Sequence, residues 1–221
     1  MHGGGDMTIK VRPILMSAPM IRAELAGYKS QTRRIVKDPG LYAIGFPHDA
    51  TTRARELIAL ASQCPYGVPG DLLWVRETWA RRSEMKAAIY KADEVNAIGA
   101  YGAVRWTPSI YMPRWASRLT LRITGVRVEQ LQDISEADAR AEGIAFTLGR
   151  DPYASGSAAC RWASAVHPDR AWNSARAAYE ELWEHINGPG SWAENPWVWC
   201  ISFSCIGKNV DAVLADMARA A

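Results

Sequence analysis

The chain has 221 residues with a hydrophobic fraction of 48% and a charged fraction of 22%, proportions that fit a globular protein with a sizeable core and exclude a fibrous or disordered chain. Its net charge of +3 tolerates an anionic partner without requiring one. The four cysteines (Cys64, Cys160, Cys200, Cys205) form no C-x-x-C pair and the four histidines (His2, His48, His167, His185) stand isolated, so the spacing offers no zinc site and no cofactor or metal is expected.

Residues 1–7, glycine-rich, are expected to be a flexible start outside the fold. Residues 9–16 are apolar enough for a first strand. Ser17 then suits an N-cap and Pro19 a first helical turn, Ile21 and Leu25 give a short apolar stripe, and Gly27 takes the usual closing position. Residues 49–63 read as a second helix capped by Asp49 and stopped before Pro65. Gly70-Asp71 ends a run of turn residues and opens a strand over 72–79, in which Leu73 and Val75 alternate with Trp74 and Arg76. A short strand over 87–90 precedes an irregular stretch to Trp115. Residues 118–128 alternate, with Leu119, Leu121 and Ile123 on one face. Ser135 caps a helix that ends near Gly143, and residues 146–170 read as a long loop or mobile insertion. Ala175, Ala178, Tyr179, Leu182, Trp183 and Ile186 fall at helical spacing before Gly188-Pro189. A last strand, 197–205, puts Trp197, Trp199, Ile201 and Phe203 on one face, and 209–221 is expected to be a peripheral helix or tail. Strands joined by short helices, with no βαβ rhythm, favour an α+β domain built on a small curved sheet or barrel.

Between Lys10 and Lys37 the chain carries seven cations (Lys10, Arg12, Arg22, Lys29, Arg33, Arg34, Lys37) against Glu24 alone. A solvated face is the ordinary explanation of such a run. Within it, Gly27-Tyr28-Lys29-Ser30-Gln31-Thr32-Arg33-Arg34 sets a lysine three residues before a threonine. If the chain turns there, an amine stands beside a hydroxyl, a base beside a nucleophile. Neighbouring cations and partial burial would favour the neutral amine such a base requires. The alternative is a basic surface turn leaving a helix C-terminus, where cations are favoured. Ten tryptophans against three phenylalanines supply core rings and, at one or two positions, platforms for a planar base.

The order of Gly27, Lys29, Thr32 and Arg34, then Gly70-Asp71, then Ala139-Arg140-Ala141-Glu142, then the aromatic strand from Trp199 to Phe203 resembles the ASCH family. The resemblance runs from about Ile14 to Phe203 and is interrupted by insertions near 38–64, 81–117 and 146–171. It implies a PUA-like (ASCH) small β-barrel with flanking helices, a single domain over 8–208. The branch with Lys-x-x-Thr is similar to bacterial amidohydrolases that remove the acyl group from N4-acetylcytidine. That likeness implies Thr32 as nucleophile, Lys29 as its general base and Glu142 as proton donor, acting on a modified pyrimidine base or nucleoside without a cofactor. Arg34 is a candidate for binding substrate and stabilising an oxyanion. Other branches are thought to bind RNA, so a non-catalytic RNA or modified-base binding module, or an RNA-cleaving ASCH protein, is the alternative. A cytoplasmic location is expected, with no membrane partner and weak RNA binding through the basic run.

Strand parity adds a rival acid. Glu77 shares the inward parity of Leu73, Val75 and Trp79, and a carboxylate beside an indole can bond a cytosine edge while the ring stacks. A buried salt bridge from Glu77 to Arg76 or Arg118 is the other outcome. Trp115 and Arg118 form a second candidate ligand edge, against the plain reading of a Pro-containing turn entering a strand.

Overall fold

The computed structural model describes residues 8–37, 49–82, 87–96, 104–150, 158–164, 170 and 172–220. The expected flexible start and parts of all three expected insertions lie outside these residues. The mixed α+β chain lays a five-stranded sheet in the order β1-β3-β6-β9-β2, formed by Val11–Leu15 (β1), Gln31–Ile35 (β2), Leu72–Arg76 (β3), Thr120–Gln130 (β6) and Trp197–Ile206 (β9). β1 runs parallel to β3, and the other pairs are antiparallel.

Alternation decides what each face buries. Leu73, Val75, Leu121, Ile123, Ile201 and Phe203 meet Met20 and Ile21 of helix α1 (Ala18–Leu25) and Leu60 of helix α2 (Ala50–Ala61). On the other face Val198 packs with Ala139 of α3 (Glu136–Ala141) and with Tyr179, Leu182 and Trp183 of α4 (Ala175–Asn187). Leu72 meets Val210 and Val213 of α5 (Val210–Ala220). β9 is therefore covered on both faces, and Val198, Cys200 and Ile201 are each 0% exposed.

Several expectations change. The sheet is not closed into a barrel: β1 and β2 are its two edges. Instead of a backbone ladder joining them, Arg34 on β2 donates through Nη2 to the Leu15 carbonyl at the end of β1, 2.8 Å away. The run expected as one strand over 72–79 breaks after Arg76, and Trp79–Arg82 (β4) pairs with Ala87–Tyr90 (β5) in a separate hairpin. The stretch expected as a loop from 146 contains a second hairpin, Ala145–Arg150 (β7) with Ala158–Ala163 (β8), whose small residues lack the alternation that marks a strand. Lys29 to Arg34 is not a turn throughout. From Gln31 onward it is strand β2, held by β9, and a partner strand about 170 residues later leaves no mark on the local pattern. Asp71 serves the fold. Its carboxylate accepts from the N–H groups of Lys10 (2.8 Å) and Val68 (3.1 Å) and so ties the start of β1 to β3.

Candidate functional site at the β2 edge

Helix α1 ends by turning its chain sharply. The Ala23 carbonyl accepts from the N–H groups of both Tyr28 and Lys29, and Gly27 takes φ +77°, a conformation glycine adopts at little cost. Ser30 then donates its N–H to the Ala141 carbonyl at 2.8 Å, and Lys29 forms a one-residue antiparallel bridge with Glu142. This places the start of β2 against the end of α3. Gly143 at φ +101° permits the close fit, since a Cβ there would stand 3.1 Å from that of Ala23.

The Lys29 amine is buried at 3% exposure and has three acceptors: the Gln31 carbonyl (2.8 Å), the Glu142 carbonyl (2.9 Å) and Glu142 Oε2 (2.8 Å). Three acceptors match the three donors of an ammonium. Glu142 Oε1 accepts from Arg33 at 3.1 Å, so both carboxylate oxygens engage cations. Arg33 also donates to Gln31 Oε1 (2.8 Å) and, through Nη2, to Glu129 Oε1 (2.5 Å). Glu129 accepts from Arg127, which pairs with Asp138 at 2.9 Å. Charge thus alternates from the buried Lys29–Glu142 pair outward to half-exposed Arg127. The Tyr179 ring lies under the Arg33 guanidinium, 5.7 Å from centroid to carbon. Burial first, and the nearby Glu142 charge second, push the Tyr179 hydroxyl well above its usual range, so it stays neutral.

Thr32 sits differently from the expectation. In the β2–β9 register it pairs with Ile201 while Arg33 pairs with Cys200, so their side chains leave opposite faces of the strand. Thr32 is 1% exposed, and its hydroxyl has no hydrogen-bond partner. Lys29 is therefore not bonded to it: the Lys-x-x-Thr spacing brings the two residues to one strand start without pairing amine and hydroxyl. Thr32 and Glu142 nevertheless line one cavity of about 260 Å³ that wraps the edge of β2, together with Arg33, Arg34, Tyr179 and Trp183. The Trp183 indole N–H is a second buried donor with no partner. Buried hydroxyls and indoles ordinarily find partners, so two orphans in one cavity wall single this cavity out as the candidate site. A larger cavity of about 690 Å³ adjoins the first and shares Met20, Arg34, Tyr66 and Ile186 with it.

Glu24 is a buried acid that the sequence pattern did not single out and that lines neither cavity. It is 4% exposed on the inner face of α1, and neither carboxylate oxygen has a partner. Burial raises its carboxyl to about 7; Lys29 and Arg34 oppose the rise and Glu77 adds to it. A signal for it exists: Glu24 lies three and four residues after Ile21 and Met20, inside the apolar stripe.

The other candidates form a separate cluster. Glu77 is 1% exposed and clamped by Arg118, whose Nε and Nη2 donate to its two oxygens at 2.8 and 3.0 Å. Arg118 also forks onto Asp93 (2.9 and 3.0 Å) and stacks on the Tyr90 ring at 4.0 Å. Trp79 packs edge-on against Trp115, 5.6 Å between centroids. None of Glu77, Trp79, Trp115 and Arg118 lines the Thr32 cavity. Parity placed Glu77 inward correctly, and the outcome is the salt bridge. Among the described residues no cluster of three His, Cys, Asp or Glu could hold a metal, and no helix is long and apolar enough to cross a membrane.

The fold and site define an α+β protein with an open, edge-bridged sheet and a polar cavity at one edge strand. No family model, no curated protein and no solved structure matches the chain.

Proposed function

We propose that this chain is an amidohydrolase that removes the acyl group from N4-acylated cytosine or cytidine, of the ASCH type and with PUA-like ancestry for its sheet. The observation that carries the reading is the buried, unpartnered Thr32 hydroxyl in a cavity that also holds Glu142 and aromatic walls. The resemblance in motif order supports it: Gly27, Lys29 and Thr32 all fall where α1 passes into β2, Gly70-Asp71 opens β3, and Glu142 closes α3.

The Lys29 ammonium carries a proton that the Glu142 carboxylate can accept. Moving that proton across their 2.8 Å contact gives a neutral amine and a carboxylic acid, the two forms the reaction requires. Lys29 then releases the Gln31 carbonyl and takes the Thr32 proton. The threonine oxygen forms its bond to the acyl carbon, and the C–N4 bond breaks as Glu142 protonates the departing nitrogen. Water hydrolyses the acyl-threonine and restores both groups. Arg34 is available to the oxyanion, and Tyr179 and Trp183 offer flat apolar walls for the pyrimidine.

A non-catalytic modified-base or RNA binding module is the second reading, and one observation favours it: the resting Lys29 amine is fully occupied away from Thr32. Incubation with N4-acetylcytidine decides between them. Reversion of the ultraviolet spectrum to that of cytidine, abolished in Thr32→Ala, supports the hydrolase. Binding of the nucleoside without any conversion supports the module.

A further inference from the structure

The larger of the two joined cavities has a largely apolar lining, and its polar groups, among the described residues, are Arg34, Arg76, Tyr66, Ser17, Thr78 and Ser109, with no acid. Arg34 lines both cavities. Each guanidinium is held by carbonyls rather than carboxylates. Arg34 donates to the carbonyls of Arg33 (3.3 Å) and Leu15 (2.8 Å). Arg76 donates to the Met112 carbonyl (3.1 Å) and to that of Ile110, and stacks on Trp74 at 5.3 Å. Carbonyls fix the forks in place but neutralise nothing. Among the described residues no carboxylate forms an ion pair with either arginine, although Arg12, Arg33, Arg114, Arg118 and Arg127 all have one. Two held guanidinium groups without an ion pair in a concave site focus a positive potential and leave donors free for an oxyanion.

Ser17 adds to this. It is the N-cap residue of α1, yet its hydroxyl makes no capping bond to its own helix, so it is free to serve a ligand in the cavity it lines.

We infer that this second compartment binds a phosphate group, and hence that the substrate is an acylated cytidine nucleotide rather than the free base or nucleoside. This rests on the hydrolase reading for the first compartment and deepens it. The acylated base occupies the smaller cavity beside Thr32, the ribose passes Arg34 at the shared wall, and the phosphate lies between Arg34 and Arg76. A cavity of about 690 Å³ is far larger than a phosphate alone needs, which leaves room for the sugar and water.

The test compares kcat/KM for N4-acetylcytidine 5′-monophosphate with that for N4-acetylcytidine, in wild type and in Arg76→Gln. The expected result is at least a tenfold preference for the nucleotide, which shrinks toward one in Arg76→Gln and in high salt. Equal use of both compounds by the wild type overturns the inference while leaving the hydrolase intact, as does an undiminished preference in Arg76→Gln. Hydrolysis of neither compound sinks the hydrolase reading instead. The subsite then stands or falls on inorganic phosphate alone, followed by phosphorus NMR line broadening. Binding by wild type that weakens in Ser17→Ala and in Arg76→Gln supports it, and absence of binding overturns it. Ser17→Ala removes no capping bond from α1, so it guards against a folding defect in the arginine variant.

Discussion

Lys29 and Glu142 meet twice, through their backbones as an antiparallel bridge and through their side chains at 2.8 Å, although 113 residues separate them. Glu142 is also held by Arg33, so removing Lys29 leaves its carboxylate one cation, while removing Glu142 leaves the buried ammonium without an anion. Two residues of the same proposed reaction, Lys29 and Thr32, therefore differ sharply in what they do for the fold.

Thr32→Val should separate chemistry from stability. It removes an unpartnered hydroxyl and keeps the shape, so thermal unfolding should be unchanged or slightly raised. Hydrolysis should fall by several orders of magnitude. Retention of near-wild-type turnover would remove threonine from the mechanism.

Lys29→Ala should lose both activity and stability. Breaking a buried pair costs about 3 kcal/mol or more, because the remaining carboxylate loses an ammonium and gains no water. Urea unfolding measures this; a midpoint equal to that of the wild type would show that the pair contributes nothing net to the fold.

Glu24 should make the protein less stable as pH rises. Its carboxyl is raised from the usual 4.5 to about 7 by burial, so the folded state holds the proton more tightly than the unfolded chain. The stability it confers is present below 4.5, falls through the window to about 7 and is gone above it. The shift corresponds to about 3 kcal/mol. Glu24→Gln should flatten this dependence and raise stability at about pH 8, above both values. A wild-type unfolding midpoint that holds constant across that window, and tracks the variant's, would count against the assignment.

Glu77→Gln should be a stability variant and not a binding variant. The fork from Arg118 would lose its charge partner while the Thr32 cavity, which Glu77 does not line, keeps its walls. The expected loss is on the order of 2 kcal/mol in unfolding free energy, with KM for the acylated nucleoside unaltered. A raised KM at unchanged stability would return Glu77 to the site.

Trp183→Phe keeps an aromatic wall and deletes one buried, unpartnered N–H. If that N–H meets a substrate oxygen, kcat/KM should drop by about a hundredfold to a thousandfold, the range for a lost donor to developing charge. In protein labelled with nitrogen-15 tryptophan, the indole signal absent from the variant should move when cytidine is added to the wild type. A signal that stays put would leave Trp183 as packing alone.

What the sequence disclosed follows from how local each cause is. Asp49 and Ser135 bond their own helices, and their roles are readable within four residues. The inward set Leu119, Leu121 and Ile123, where the chain enters β6, obeys a period of two. Strand β2 is hidden because its partner lies on β9 and because its residues are polar: Gln31 and Arg33 are buried as members of a network and Thr32 as an unpartnered hydroxyl on the opposite face, not as apolar core. Glu24 is hidden by its company, one acid among seven cations, where a surface run is the simpler picture. The break after Arg76 depends on Glu77 meeting Arg118 and on Met112 Sδ accepting the Glu77 N–H at 3.2 Å, contacts no neighbour in sequence foreshadows.

The Lys29–Glu142 bridge also sets when the protein can first work. The ribosome must extend well past residue 142 before the pair can form, and β2 has no ladder until β9, the last strand, arrives. A chain released early, or one whose C-terminal strand detaches transiently, lacks the strand that holds β2 and with it a wall of the cavity. Under the proposed function, turnover would therefore be all-or-none with respect to completion of the sheet and would count the fully folded fraction of a preparation.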